Sequence, residues 1–208
     1  MIIGQFVSII TIKTGKSCSE KQYLAGQFVF IDSQFSSILL ESLSLVLNTM
    51  NENEQVITRF YSAFQKLDYK TMQDCYADRV IFFDPVFEDL VDEEVKLMWE
   101  MLCKRATDLS IEFDNVQADD EYGTCNWLAS YTFTKTKRKV VNKIKAHMRF
   151  HGGEIIEHSD QFKLSNWCKQ ALGLPGILFG RMAWFQKKVR RAAQQNLYDF
   201  IIAKQNSK

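Results

Sequence analysis

Apolar residues recur at helical spacing in the first readable part of the chain. Ile57, Phe60, Tyr61 and Phe64 lie at i, i+3, i+4 and i+7, so the pattern predicts a helix of about four turns. The preceding segment 51–54, Asn-Glu-Asn-Glu, supplies a capping side chain and acidic residues that favour the positive end of a helix. We therefore predict that a folded domain begins at this point.

The next elements are shorter. A helix is predicted over 69–75, with Asp68 as its cap. Residues 79–83 are β-branched and aromatic, which is typical of a strand, and this strand must end near Pro85. Asp92 is expected to cap a third helix, in which apolar residues again recur at helical spacing.

A period of two replaces the helical period after Arg105. Residues 109–119, 122–135, 139–150 and 154–164 read as four long strands, and their short connections predict an antiparallel meander. Alternate residues of a strand share one face of the sheet. The predicted inward face consists of Trp127, Ala129, Tyr131, Phe133, Asn142, Ile144, Ala146, Met148, Ile156, His158, Asp160 and Phe162.

The C-terminal part reads as helical. We predict a helix over 166–172 that ends at Gly173, a break at the following Leu-Pro-Gly, and a final amphipathic helix to about Lys204. The basic run 187–191 is interpreted as the solvated face of that helix, with contact to phosphate or lipid as the alternative.

These patterns suggest three parts of the chain. Residues 1–49 follow no clear period, and we expect an N-terminal extension that is poorly ordered or not native. Residues 50–173 are expected to form the folded domain, and residues 174–208 a helical tail.

Composition narrows the class of protein. The chain of 208 residues has a formal net charge of +1, which argues against a nucleic-acid partner. No apolar run reaches the length of a membrane span. The five cysteines have no CxxC spacing, so we expect free thiols in a reducing compartment and a cytoplasmic protein. Aromatic residues make up 13% of the chain, which predicts an aromatic interior that is either solid or hollow.

Two places in this pattern could carry acid–base chemistry. Asp84 has the apolar neighbours Phe82, Phe83 and Val86, and such surroundings raise a carboxylate pKa, although an aspartate before proline also simply starts a turn. His158 and Asp160 lie on the same face of one strand. A histidine beside a carboxylate can act as a general acid or base. The alternative is a structural polar pair, bonded to Asn142 or to a buried water.

Other candidate roles are weaker. His158 with distant carboxylates is a poor ligand set, so we predict no metal. His147, Arg149 and His151 alternate with Ala146 and are assigned to the outer face of the sheet. The residues that could serve as plain core or as walls of a substrate pocket are Trp99, Trp127, Tyr131, Phe133 and Phe162.

Four pieces of sequence, in this order and spacing, resemble a known superfamily. They are Arg59-Phe60-Tyr61, Asp84-Pro85-Val86, the segment 137–142 (KRKVVN) and the segment 153–162 (GEIIEHSDQF). Residues 54–173 resemble the nuclear transport factor 2-like superfamily, which includes steroid Δ-isomerases, SnoaL-like polyketide cyclases, limonene-epoxide hydrolases and scytalone dehydratases. The resemblance implies an α+β cone of cystatin-like fold, with a deep pocket between the concave sheet and the first and third helices.

The resemblance also implies roles for single residues. Asp84 matches the general base of the isomerases, and Asp160 matches a carboxylate of the epoxide hydrolases and some cyclases. The two isomerase donors that stabilise an enolate fall at Phe60 and Ala146, which cannot donate, so steroid isomerase activity is not expected. No Arg-x-Asp lies between Asp119 and residue 150, so the water-activating trio of the hydrolases is incomplete.

We therefore predict a SnoaL-like protein that binds a hydrophobic small molecule and performs cofactor-independent acid–base chemistry. Asp84 or Asp160 would act as base, His158 as partner acid or orienting group, and Asn142 as hydrogen-bond donor. A non-catalytic ligand-binding or dimerisation module of the same fold is the alternative. We also expect a homodimer through the outer sheet face. The apolar residues assigned to that face, Leu128, Val141 and Ile155, are the basis of this expectation.

Overall fold

The computed structural model describes residues 51–206, so our expectation about residues 1–49 lies outside the described residues. The helices are α1 (Glu52–Gln65), α2 (Tyr69–Gln73), α3 (Glu93–Arg105), α4 (Leu164–Leu172), α5 (Leu174–Phe179) and α6 (Ala183–Gln205). The strands are β1 (Tyr76–Asp84), β2 (Glu88–Val91), β3 (Ser110–Ala118), β4 (Tyr122–Phe133), β5 (Arg138–His151) and β6 (Glu154–Gln161). Within this part of the chain, no helix is long and apolar enough to cross a membrane.

The six strands form one curved sheet in the order β2-β1-β6-β5-β4-β3. Strands β3 to β6 are the antiparallel meander that the two-residue period predicted. Strand β1 pairs with β6 in parallel, with Phe82 opposite His158, and pairs with β2 in antiparallel orientation. The predicted α+β class is confirmed.

The start of α1 is fixed by a capping box. The Asn51 side chain accepts from the Asn53 backbone N–H at 2.8 Å, and the Glu54 carboxylate accepts from the Asn51 N–H at 3.2 Å. Glu54 also accepts from the Ala118 N–H at 3.3 Å, and the Asn53 amide donates to the Asp119 carbonyl at 2.8 Å. The capped end of α1 is therefore joined to the end of β3.

The core lies between α1, α3 and the inner face of the sheet. The four apolar residues that predicted α1 are all buried, as are Met98 and Trp99 of α3. The Phe60 ring meets the rings of Tyr76, Trp99 and His158 edge-on, with centroids 5.4, 5.3 and 5.6 Å away. Burial of each large apolar side chain stabilises the fold by about 1.5–3 kcal/mol, so these contacts hold the helices on the sheet.

The inner face of β6 is interrupted by a bulge. Arg149 pairs with Glu157, but Phe150 pairs with Ile155, so Ile156 is an extra residue on β6. Ile155 is fully buried, whereas Ile156 is partly exposed. Our assignment of Ile156 to the inner face and Ile155 to the outer face is wrong, because one extra residue reverses the alternation on that side of the bulge.

Asp92 precedes α3, but its side chain does not cap the helix. Its carboxylate accepts from the Val80 N–H at 3.1 Å, and its own N–H donates to the Val80 carbonyl at 2.8 Å. The predicted cap is wrong because β2, a strand that the sequence analysis missed, places Asp92 beside β1. Asp92 therefore joins the end of β2 to β1.

Residues 174–176 do not break the chain as predicted. Gly173, with φ of 65°, ends α4, and α5 begins at once with Pro175 in its first turn. A proline is tolerated there because the first N–H groups of a helix have no partner within the helix. The missing N–H of Pro175 therefore costs α5 no hydrogen bond.

Replacement Asn51→Ala should lower the free energy of unfolding by about 1 kcal/mol, because the capping bond to the Asn53 N–H is lost. Urea unfolding monitored by circular dichroism would measure this change. The control Lys66→Ala, at the exposed other end of α1, should change stability by less than about 0.5 kcal/mol. Equal effects of the two substitutions would contradict the capping role.

Candidate functional site

A cavity of about 440 Å³ opens between the concave sheet, α3 and α6. Its walls are largely apolar and aromatic, as in most small-molecule sites. Eight of the nine residues that the sequence analysis proposed for the site line it: Asp84, Trp99, Trp127, Tyr131, Phe133, Asn142, Asp160 and Phe162. The ninth, His158, lies behind the wall.

Asp84 is the last residue of β1 and is buried at the edge of the cavity. Its Oδ1 accepts from the backbone N–H groups of Val86 and Phe87, at 2.8 and 2.5 Å. The aspartate therefore does start the turn around Pro85, and it lines the cavity at the same time. Among the described residues, none donates to Oδ2, which leaves this oxygen available to a ligand.

Burial raises the pKa of Asp84 to about 6. The two backbone N–H groups oppose this rise, because they bind the charged form. The nearby charge of Asp160 adds to the rise. A carboxyl group that titrates near neutral pH can both take and return a proton under ordinary conditions.

His158 is held by a directed hydrogen-bond path. The Trp99 indole N–H donates to the Tyr76 hydroxyl at 2.9 Å, and that hydroxyl lies 2.6 Å from His158 Nδ1. His158 Nε2 lies 3.2 Å from Asp160 Oδ1. An indole N–H only donates and a carboxylate only accepts, so a neutral His158 that carries its proton on Nε2 satisfies every group. Each group in the path then donates to the next, from Trp99 through Tyr76 and His158 to Asp160.

Asp160 receives a second donor at the same oxygen. The Trp127 indole N–H donates to Oδ1 at 3.0 Å, and Asp160 is 3% exposed. No described residue donates to its Oδ2. Two fixed donors on one oxygen orient the carboxylate of this cavity-lining residue.

His158 itself is 1% exposed and is enclosed by aromatic rings. The Phe60, Phe82 and Trp99 rings have centroids 5.6, 5.3 and 5.9 Å from the imidazole. Because it does not reach the cavity, His158 is placed to orient Asp160 rather than to touch a ligand.

The positions of the missing isomerase donors are filled with apolar groups. Phe60 and Ala146 are both fully buried. Tyr61, the nearest substitute on α1, is also fully buried, and among the described residues its hydroxyl has no hydrogen-bond partner. Burial raises the pKa of Tyr61 well above its ordinary value, so the hydroxyl stays protonated. None of the three lines the cavity.

Two parts of the site were missed in the sequence. Tyr76 was not assigned to β1, because the exposed Asp78 interrupts the alternation of buried residues between Tyr76 and Val80. Asn196 and three other residues of α6 line the cavity, and no local pattern shows that a C-terminal helix returns to it.

Helix α6 is fastened to the rest of the site at several points. Arg190 Nε donates to the Pro85 carbonyl at 3.0 Å, and the Gln194 side chain donates to the Phe87 carbonyl at 3.2 Å. Near the other end, Lys204 and Lys104 bind the buried Glu100 of α3, at 2.5 and 2.7 Å. Burial would raise the pKa of Glu100, but the two lysines outweigh it and the pKa is lowered.

The cysteines of the described residues offer no nucleophile. Cys75, Cys103, Cys125 and Cys168 are all free and buried. Burial raises the pKa of Cys75 to about 11, and that of Cys103 and Cys125 to about 12, so these thiols stay protonated. Within residues 51–206, no group of three or more His, Cys, Asp or Glu side chains is placed to hold a metal ion.

A curved sheet over an aromatic cavity with two buried carboxylates defines a protein of the cone-shaped nuclear transport factor 2-like class. Residues 57–158 match the family model of the SnoaL-like domain. This part of the chain therefore carries a SnoaL-like domain.

Solved structures agree with this fold. A Catenulispora acidiphila protein of ketosteroid isomerase-like fold, solved with trimethylamine, is 14% identical, with a TM-score of 0.52, over 59% of this chain and 95% of that one. An LEH-like epoxide hydrolase of M. tuberculosis is 14% identical, with a TM-score of 0.51, over 62% and 96%. TsrD from Streptomyces laurentii is 16% identical, with a TM-score of 0.50, over 59% and 95%. A search of the curated proteins finds no match.

Replacement Tyr76→Phe should destabilise the fold by about 1–3 kcal/mol, because the Trp99 N–H and His158 Nδ1 each lose a buried partner. Urea unfolding measures this loss, and the ¹⁵N shifts of the His158 ring report the proton position. Tyr198→Phe, at an exposed position of α6, is the control and should be nearly neutral. Unchanged stability and unchanged imidazole shifts would contradict the hydrogen-bond path.

Replacement Asp84→Asn should stabilise the protein at pH 7.5 but not at pH 3.5. The folded pKa of about 6 exceeds the ordinary 3.8, so the native state binds more protons than the unfolded state between these values. The wild-type unfolding free energy therefore falls as pH rises through this window, by about 1–3 kcal/mol. Unfolding of both proteins at the two pH values tests this expectation.

The matched control for that comparison is Asp78→Asn, because Asp78 lies on the same strand with an exposed side chain. It should show no pH-dependent gain of this size. If the stability difference for Asp84→Asn is the same at pH 3.5 and pH 7.5, the buried acid is not responsible for it.

Proposed function

We propose that the protein binds a hydrophobic small molecule in the cavity and performs cofactor-independent acid–base chemistry on it. The observation that carries this proposal is the pair of buried carboxylates, Asp84 and Asp160, on the wall of one apolar cavity. Buried carboxylates without a cationic partner destabilise a fold, so their presence in a cavity favours a functional role.

Asp84 is the preferred base. Its Oδ1 is held by the turn and its Oδ2 is left for the ligand, and its pKa of about 6 leaves it mostly ionised at neutral pH. It would take a proton from a carbon next to a carbonyl group of the ligand, and would return that proton to another atom of the same molecule. Such a transfer is balanced and needs no oxidant, reductant or cofactor.

The other cavity residues take supporting roles in this proposal. Asp160, oriented through His158, would stabilise or relay a proton at a second position of the ligand. The Asn142 amide would donate a hydrogen bond to the carbonyl oxygen in place of the donors that Phe60 and Ala146 cannot provide. Trp99, Trp127, Tyr131, Phe133 and Phe162 would be the apolar walls.

The second candidate function is ligand binding or dimerisation without catalysis. The apolar residues at Phe60 and Ala146 favour it, because an enolate would lack its two usual donors. A homodimer through the outer sheet face also stays a proposal. The exposed apolar side chains of Val141, Ile81 and Phe83 support this dimer. Ile155 is buried and cannot contribute to it. A cytoplasmic location is likewise a proposal.

Native mass spectrometry of the purified full-length protein would identify a co-purifying ligand, and related carbonyl compounds would then be assayed for turnover. Ala129→Phe, which fills the cavity, should abolish binding. Asp84→Asn should keep binding but lower turnover at least about 100-fold, and wild-type turnover should rise with pH through about 6.

Asp160→Asn and His158→Ala should also lower turnover, whereas the exposed control Asp78→Asn should not. Unchanged turnover in Asp84→Asn, His158→Ala and Asp160→Asn would refute the catalytic role. Ligand binding that is lost in Ala129→Phe, with no turnover in the wild type, would support the non-catalytic alternative.

A further inference from the structure

Helix α5 and the start of α6 expose an unusual number of large apolar side chains. We name this group the apolar patch, and its members are Leu174, Ile177, Leu178, Phe179, Met182 and Trp184. Their exposed fractions are 74%, 56%, 65%, 37%, 44% and 57%. Single exposed apolar residues are ordinary, but a contiguous group marks an interaction surface.

The packing of α5 explains why these side chains face outward. Gly176 of α5 and Gly180, which follows the helix, contact α4, and both are buried. A Cβ at Gly176 would lie 1.9 Å from the Cys168 carbonyl oxygen, and one at Gly180 would lie 2.9 Å from Cys168 Cβ. Only glycine allows this close approach. The narrow glycine side of α5 therefore packs on α4, and the wide apolar side is presented to the exterior.

The aromatic side chains of the patch contact one another and a neighbouring phenylalanine. The Trp184 ring lies 5.6 Å from both Phe179 and Phe185, measured between centroids. The Trp184 indole N–H is 3.2 Å from Met182 Sδ, which is a weak acceptor. A tryptophan with such a partner keeps a polar edge that can still bond to water or to a lipid headgroup.

The stretch of sequence that contains the patch carries charge of one sign. Trp184, Lys187, Lys188 and Arg191 follow the spacing i, i+3, i+4 and i+7, so they share one face of α6, and all four are exposed. Residues 161–198 contain seven Lys or Arg and no Asp or Glu, although the whole chain has 26 basic and 25 acidic residues. Arg190 points the other way and binds Pro85 and Glu88.

We propose that the apolar patch and the basic face of α6 dock the protein on the surface of an anionic membrane. Exposed Leu, Ile, Phe and Trp side chains enter the boundary between headgroups and acyl chains, and adjacent Lys and Arg bind the lipid phosphates. The stretch 161–198 carries only basic charge, and this favours a polyanionic surface over a protein partner of mixed charge. The docking that we propose is peripheral, at the level of the lipid headgroups.

Sedimentation of the full-length protein with vesicles tests this proposal. Wild type should bind vesicles of phosphatidylcholine with 30% phosphatidylserine, bind phosphatidylcholine alone at least about tenfold more weakly, and dissociate in 0.5 M salt. Leu178→Ser with Trp184→Ser should weaken binding about tenfold or more. Lys187→Ala with Lys188→Ala should weaken it about thirtyfold at low salt. All of these positions are exposed, so circular dichroism should show unchanged folding.

Matched controls are available elsewhere on the surface. Tyr198→Ser removes an exposed aromatic side chain of α6 beyond the patch, and Lys143→Ala removes an exposed lysine of β5. Both should leave vesicle binding unchanged. The proposal is overturned if wild type does not bind the anionic vesicles at low salt, or if the patch and control variants bind equally. It is also overturned if the patch variants abolish self-association instead of vesicle binding.

Discussion

The hydroxyl group of Tyr76 is the point at which three elements of the fold are joined. It accepts from Trp99 on α3 and binds His158 on β6, while Tyr76 itself begins β1. Strands β1 and β6 are far apart in sequence and pair in parallel, so little local structure favours their association. A buried polar group without a partner costs about 1–3 kcal/mol, and this penalty makes other arrangements of the three elements unfavourable. The same bonds set the direction of Asp160, so fold and site share one determinant.

The cavity depends on a balance between packing and polarity. Aromatic rings fill the interior around Phe60, but the region between the sheet and α6 is left open. Asp84 and Asp160 face that opening, where an apolar side chain would pack better. Burial without a cation holds Asp84 near its titration point, at some cost in stability. Such a cost is common at sites where function needs a reactive group.

Local patterns predicted most of the fold, and long-range contacts account for what they missed. The i, i+3, i+4 spacing of Ile57 to Phe64 predicted α1. The two-residue alternation predicted the meander and six of the eight proposed site residues that line the cavity, all except Asp84 and Trp99. The bulge at Ile156 could not be predicted, because its insertion is visible only in the pairing of β6 with β5. The cap assigned to Asp92 failed because β2 brings it to Val80. The cavity wall formed by α6 depends on contacts with Pro85 and Phe87, about 100 residues away, which leave no local pattern.

Helix α6 has two faces with different surroundings over a length of about 35 Å. Val189, Ala193 and Asn196 form part of the cavity wall, whereas Lys187, Lys188 and Arg191 point to the exterior. A rigid helix that belongs to two surfaces couples them thermodynamically. Whatever repositions α6 from outside changes the shape of the cavity, and a molecule that fills the cavity favours one position of α6 by the same free energy. A molecule in the cavity and a surface docked on the outer side of α6 would therefore contact the same helix.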